Sequence, residues 1–270
     1  MAQQTEMKTQ ENSLFRKTSM INSIAFRAMK IYSIVFALLF TINLSSQNDT
    51  IERVNNETFF LKKKFIVPTT LTGAAFLFTH SDFEIRLQNK LQKNLNNNYS
   101  TTLDNYTRYV PVLQMYTADL LGVEAKNHWF AQTRNLALSL LLTKYTTNIL
   151  KGTISKPRPN LRNNNSFPSG HTSAAFASAT VLYEEFKDSS PILAYSGYVF
   201  ASSTAYLRMA NNAHWLSDVL FGAALGITIT KLVYHFDYLF DWNPFEVKEN
   251  INLMPMIDSE SIGLGLAIKF

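Results

Sequence analysis

Apolar and polar positions along the chain sort into four long helical stretches, flanked by mixed and alternating segments. Residues 132–150 (QTRNLALSLLLTKYTTNIL) predict a leucine-rich helix, which Pro157 and Pro159 end by fixing extended backbone around Arg158. Residues 171–186 predict a helix rich in Ala, Ser and Thr, and a Lys-Asp-Ser-Ser-Pro break follows it. Residues 191–208 predict another apolar helix, and a last one runs from about 214 to 235. The run 65–79 is apolar but short for a membrane span, and 82–130 is mixed, reading as amphipathic helices and loops. At the end of the chain, Ile262, Leu264, Leu266, Ile268 and Phe270 alternate with small or polar residues, a strand pattern that can pair with Asn252–Met256 as a hairpin. One such hairpin is far too little for a membrane barrel.

The N-terminal part has the layout of an export signal. Residues 1–23 are polar and read as a disordered tail. Arg16, Lys17, Arg27 and Lys30 precede the apolar run Ile31 to Leu44, which ends in Ser45-Ser46-Gln47. An uncleaved first membrane helix from about Ile24 to Leu44 exports the following residues equally well. Lys62, Lys63 and Lys64 then face outward, against the positive-inside tendency, and the sequence offers no account of that. The domain reading is therefore 1–46 as polar N-terminus plus signal peptide or first membrane helix, 60–240 as one helical domain, and 241–270 as a tail.

Composition leans the same way. Hydrophobic residues make up 46% and charged residues 17%, below the usual quarter for soluble domains. The mean hydropathy of −0.06 pulls toward a soluble protein. The absence of cysteine excludes disulfides and a thiolate nucleophile. A formal charge of +5 suits an anionic ligand or a lipid surface, while the scattered basic residues match no nucleic-acid module.

Three short segments carry the chemistry. They are Lys151-Gly-Thr-Ile-Ser-Lys-Pro-Arg158-Pro159, Pro168-Ser169-Gly170-His171, and Arg208-Met-Ala-Asn-Asn-Ala-His214-Trp-Leu-Ser-Asp218. A phosphate transition state spreads charge over equatorial oxygens. Arg158 and Arg208 can clamp these, and Lys151 adds a point charge. Ser169 and Gly170 precede a helix whose first N–H groups can point at an anion. Asp218, one helical turn after His214, can fix its tautomer and leave the other ring nitrogen to attack phosphorus. His171 is left as the acid that protonates the leaving oxygen.

These blocks resemble the signature of the type 2 phosphatidic acid phosphatase and vanadium haloperoxidase superfamily, in its bacterial lipid phosphatase branch. The resemblance covers about residues 125–235. It implies His214 as nucleophile, His171 as general acid, Asp218 as the nucleophile's partner, and Lys151, Arg158, Ser169, Gly170 and Arg208 as phosphate ligands. Leu207 departs from the usual Ser before the Arg, at a cost of at most one hydroxyl. The implied protein is an all-α, membrane-embedded bundle of about five or six helices with a short hairpin-like tail. Its implied activity is a metal-independent, cofactor-free lipid phosphatase of the inner membrane, with the site facing the periplasm. Its partners are a phosphorylated lipid and the membrane, and no nucleic acid. Helix parity agrees, since four spanning helices bring all three motifs to one side. A soluble periplasmic acid phosphatase, a haloperoxidase and a non-catalytic lipid binder are the alternatives.

Outside the motifs, His80, His128 and His235 read as ordinary surface or packed histidines, and Lys156 and Arg162 as solvated cations, either of which could touch a second phosphate on the substrate. His128-Trp129 and the aromatics from Tyr234 to Trp242 read as interfacial belt residues. The pair His214 and Asp218 is an incomplete metal set.

Overall fold

In a computed structural model of the chain, the backbone is described for residues 51–97, 99–240, 251–258 and 261–268. The readings made on 1–46 and on Trp242 lie outside the described residues. The described part is predominantly helical. The helices are α1 (Ile51–Phe78), α2 (Asp82–Asn94), α3 (Asp104–Thr107), α4 (Val110–Leu120), α5 (Trp129–Thr153), α6 (Gly170–Phe186), α7 (Pro191–Ala210) and α8 (Leu216–His235). A 3₁₀ turn, Asp237–Phe240, follows α8, and the backbone of Ile251–Asp258 pairs antiparallel with Ser261–Ile268.

Among the described residues there are eight helices, more than the five or six expected. The mixed stretch 82–130 holds three of them: α2 and α3 turn Glu84, Gln88, Gln92 and Asp104 inward, whereas α4 buries Pro111, Met115 and Ala118. The short apolar run at 65–79 is the C-terminal half of α1, which extends through polar residues 51–63 and carries Pro68. Among the described residues, one helix, Leu216–His235, is long and apolar enough to cross a membrane, with mean hydropathy 1.6. The other described helices are too short or not apolar enough to pass that test.

α6 is the central element and packs against α5, α7 and α8, while α1 packs on α8. Its buried face is made of Ala175, Ala177, Ala179, Val181, Leu182 and Phe186, with Thr172, Ser173 and Ser178. Small residues set the distance to α8. A Cβ at Gly226 would lie 2.3 Å from the Ser173 carbonyl oxygen and 2.8 Å from the Ala177 nitrogen. One at Gly222 would lie 2.8 Å from the Ser169 carbonyl oxygen. The Gly222/Gly226 pair therefore lets α8 approach the backbone of α6 itself.

α5 is polar inside and apolar outside. Gln132, Asn135, Ser139, Thr143 and Thr147 are buried, whereas Leu141, Leu142, Tyr145 and Ile149 are exposed. α7 likewise exposes Ile192, Tyr195, Val199 and Tyr206.

The connections fix which end of the bundle is which. α5 ends, α6 begins, α7 ends and α8 begins at one end, and α2 and α3 lie across it. The opposite end is closed by Glu185 of α6. Its side chain accepts from Asn127 N–H at 3.0 Å and from the Tyr234 hydroxyl, and its carbonyl accepts from Lys126 N–H at 2.8 Å. α1 finishes at the first end, where His80 N–H donates to Glu84 of α2 at 3.2 Å. Lys64 therefore falls toward the far end, within electrostatic reach of Glu184 and Lys231.

Gly226→Ala should destabilise the folded protein by about 1–3 kcal/mol, because the new methyl meets backbone rather than a side chain that can swing away. Gly73→Ala on α1 meets nothing within 4 Å and should be neutral or stabilising. Thermal unfolding midpoints in detergent compare the two.

Candidate active site

Asp218 is the hub of the site and has no exposed surface. Its Oδ1 accepts from Lys156 Nζ at 3.0 Å, and its Oδ2 accepts from the Ser166 hydroxyl and from Trp215 N–H at 2.8 Å. Its carbonyl oxygen accepts from Ser169 N–H at 3.0 Å. One residue thus ties together the segments that carry all three motifs. His214 was expected on the same helix as Asp218, yet α8 starts only at Leu216. The two meet because Asp218, in the first turn, folds back to cap the helix, and His214 lies in the chain just ahead of it.

His214 is 1% exposed, and its Nδ1 lies 3.6 Å from Asp218 Oδ2. Burial pushes its pKa down to about 4, outweighing the pull of Asp218, and Arg208 and Lys151 add to the lowering. At neutral pH the ring is therefore an uncharged base.

The cations face this ring. Lys151 stands in the last turn of α5, and its Nζ donates to the Asn165 carbonyl at 2.8 Å. A Cβ on Gly170 would lie 4.0 Å from Lys151 Cε, so this cation adjoins the start of α6. Arg158 sits in the loop between two prolines, its N–H bonded to the Asn163 carbonyl at 3.0 Å. Burial and then Arg208 lower its pKa. Arg208, in the last turn of α7, donates through Nη1 to Asp104 of α3. The Nε atoms of both arginines are buried and meet no acceptor among the described residues. Two such donors with like charge suit an anion between them.

His171 and Ser169 complete the pocket. His171 lies in the first turn of α6, and its Nε2 donates to Asn105 Oδ1 at 2.9 Å. Ser169 is fully buried at the N-cap of α6, but its hydroxyl pairs with Thr172 Oγ1 at 2.9 Å instead of capping the helix. The first N–H groups of α6, from Gly170 on, are left for a ligand. Among the described residues, no group of three or more His, Asp and Glu is arranged to hold a metal ion.

The structure brings all eight expected residues to one end of the bundle. It corrects the reading of Lys156. That cation is 3% exposed and buried between Asp218, Ser217 and Glu84, because the loop after Ile154 turns into the protein. Arg162 is exposed, as expected. His128 caps α5, its Nδ1 accepting from Phe130 N–H at 3.4 Å. Glu84, Asp104, Asn105, Ser166 and Ser217 were not anticipated. The signal that could have found Glu84 is its spacing with Gln88 and Gln92, every fourth residue along one face of α2, all three buried.

Residues 132–242 match the family described as the PAP2 superfamily. A curated relative, lipid A 1-phosphatase of Porphyromonas gingivalis, is 34% identical over 165 residues, which is 61% of this chain and 36% of that protein. The chain therefore spans about a third of the length of this relative. Among solved structures, Aquifex aeolicus LpxE is 21% identical at a TM-score of 0.43, over 58% of this chain and 98% of that one. The first transmembrane PAP2 type phosphatidylglycerolphosphate phosphatase from Bacillus subtilis is 18% identical at 0.41, over 68% and 98%.

The depressed pKa of His214 sets a pH dependence. The folded state holds this ring neutral down to about 4, whereas the unfolded chain takes up the proton near 6.5. The unfolded state thus binds more protons between these values, so stability is full above 6.5 and falls as pH drops toward 4. Unfolding midpoints of wild type and His214→Gln across pH 7.5 to 4 should converge as pH falls, the wild type losing more.

Proposed function

We propose that the protein, whose residues 132–242 match the PAP2 superfamily, is a phosphatase of that superfamily. It removes a phosphate or pyrophosphate group from an envelope lipid through a phosphohistidine. The observation that carries this reading is the pair of buried, acceptor-less Arg158 and Arg208 Nε groups beside the neutral His214 ring. The site offers donors for an oxyanion and presents a base.

In the proposed reaction, Lys151, Arg158, Arg208 and the α6 N-terminus hold the phosphate oxygens. His214 attacks phosphorus through Nε2, and its Nδ1 side, facing Asp218 at 3.6 Å, carries the charge that develops on the ring. The bond to the lipid oxygen breaks, and His171 delivers a proton to that oxygen. Water then attacks the phosphohistidine, giving its proton to His171, and inorganic phosphate leaves. No step calls on a metal, since the three cations take the place of one. Of the candidate lipids, a phosphate of lipid A is favoured over phosphatidic acid, phosphatidylglycerol phosphate and undecaprenyl diphosphate by the 34% identity with the lipid A 1-phosphatase.

The domain lies in the inner membrane with its site facing the periplasm. The inverted polarity of α5 supports embedding, because Ser and Thr inside with Leu and Tyr outside suits lipid and not water. Lys64 at the end opposite the site agrees with the positive-inside rule. Residues 1–46 serve as signal peptide or first membrane helix, 60–240 as the phosphatase domain, and 241–270 as a tail. A soluble periplasmic acid phosphatase is the second reading, favoured by the near-zero mean hydropathy of −0.06.

The test is phosphate release by the full chain in detergent from lipid A and the three other lipids, without peroxide or vanadate. Release from lipid A is expected, with an acid-labile phosphohistidine on rapid quenching. His214→Ala should abolish turnover, and Asp218→Asn should cost roughly 10²–10⁴-fold in rate. Absence of release from every lipid, or trapping of phosphate on Ser169, would sink the proposal. Extraction from membranes by salt alone would favour the soluble enzyme.

A further inference from the structure

We infer that Lys156 and Glu84 are positioning residues for the His214–Asp218 pair, forming a buried charge cluster that sets the orientation of Asp218 and the electrostatic field felt by His214. The inference rests on the phosphatase reading for its purpose, though not for its test. Lys156 occupies a position that the Lys-x(6)-Arg-Pro motif leaves open, and Glu84 lies on α2, outside residues 132–242.

The geometry leaves the ammonium no freedom. Lys156 Nζ donates to Asp218 Oδ1 at 3.0 Å and to Ser217 Oγ at 2.6 Å, and it lies 3.4 and 3.5 Å from the two Glu84 oxygens. Its three N–H groups thus meet three acceptors. Glu84 Oε1 in turn accepts from Ser217 N–H at 2.8 Å and from the Ser217 hydroxyl. Lys156, Glu84 and Asp218 are 3%, 2% and 0% exposed. Asp218 Oδ1 is turned away by Lys156, so Oδ2 is the oxygen presented to His214.

Charge accounting gives the cluster a purpose beyond packing. Two carboxylates and one ammonium sum to one net negative charge, buried beside a neutral ring. An uncompensated buried charge is costly. It is relieved when His214 gains positive charge, which is what attack on phosphorus produces. The other charged or titratable groups facing His214 are Arg208 of α7, Lys151 of α5, Arg158 of the loop after α5 and His171 of α6. The first three are engaged by substrate phosphate, so the surplus negative charge behind Asp218 remains available to the ring.

Three variants of the full chain test this, read by NMR titration of the His214 imidazole and assigned by its loss in His214→Gln. Lys156→Met leaves two negative charges, so His214 should titrate at higher pH than in wild type. Glu84→Gln leaves none, so it should titrate lower. Lys156→Arg should keep the wild-type value. Should Lys156→Met not fold, the double variant Lys156→Met/Glu84→Gln has the wild-type net charge and should titrate close to wild type. Opposite shifts cannot arise from loosened packing. In activity, Lys156→Met should lower kcat about tenfold or more while KM changes less than about threefold. Unchanged titration in both single variants, or shifts in the same direction, would overturn the inference. Opposite shifts without phosphate release by the wild type would overturn the phosphatase reading and leave the cluster standing.

Discussion

A carboxylate with no access to water is the constraint on which this structure depends. Asp218 is ionised in the interior only because an ammonium, a hydroxyl and a backbone N–H all reach it. Each donor comes from a different stretch: the loop after α5, the turn before α6 and the turn before α8. Meeting the needs of one charge therefore draws three separated segments to one point, and the motif residues they carry arrive together. Arg208 follows from a parallel demand, since buried Asp104 on α3 takes its Nη1 and the Asn211 side-chain amide.

The bundle beneath solves a different problem. Its helices meet through Gly, Ala, Ser and Thr, with backbone against backbone at Gly222 and Gly226. Close approach of that kind draws on dispersion contacts and helix-to-helix hydrogen bonds such as Thr147 to Ser173 at 3.2 Å, more than on hiding large apolar side chains. Leu141, Tyr145, Ile192 and Val199 lie on the outside, while Met115, Leu182 and Phe186 fill one inner cluster. The rigid α6–α8 seam is also what holds the N-terminus of α6 against Asp218, through the Ser169 N–H.

Much of this was legible in the sequence, for identifiable reasons. The four long helices have proline or polar breaks at their ends, and the motif residues stand at helix ends where chemistry and chain reversal coincide. Gly222 and Gly226, which set the distance between α6 and α8, repeat at helical spacing along α8. Lys156 could not be read: a lysine between Ser and Pro in a loop is commonly solvated, and only the distant Glu84 and Asp218 make burial affordable. Asp104 and Asn105 were hidden for a similar reason, since they act on Arg208 and His171 across about a hundred and about sixty-six residues of chain. Long-range polar pairing leaves no periodic trace. The approach of His214 to Asp218 was anticipated, but by a helical turn that does not exist; capping geometry does the same work.

The polar face of α2 has a bearing on what counts as a unit of this protein. Gln88 Nε2 donates to the Met209 carbonyl at 2.9 Å and to Asn212, Gln92 Nε2 donates to the Met209 and Ala210 carbonyls at 3.1 Å, and Glu84 holds Ser217. These three side chains secure the whole turn between α7 and α8, on which His214 rides. The recognisable segment and the working one therefore have different borders. A fragment cut at residue 132 would retain every motif residue and lose the brace that shapes the turn between them. Grafting the motifs onto another helical scaffold would meet the same obstacle, because that brace belongs to a helix the motifs do not mention.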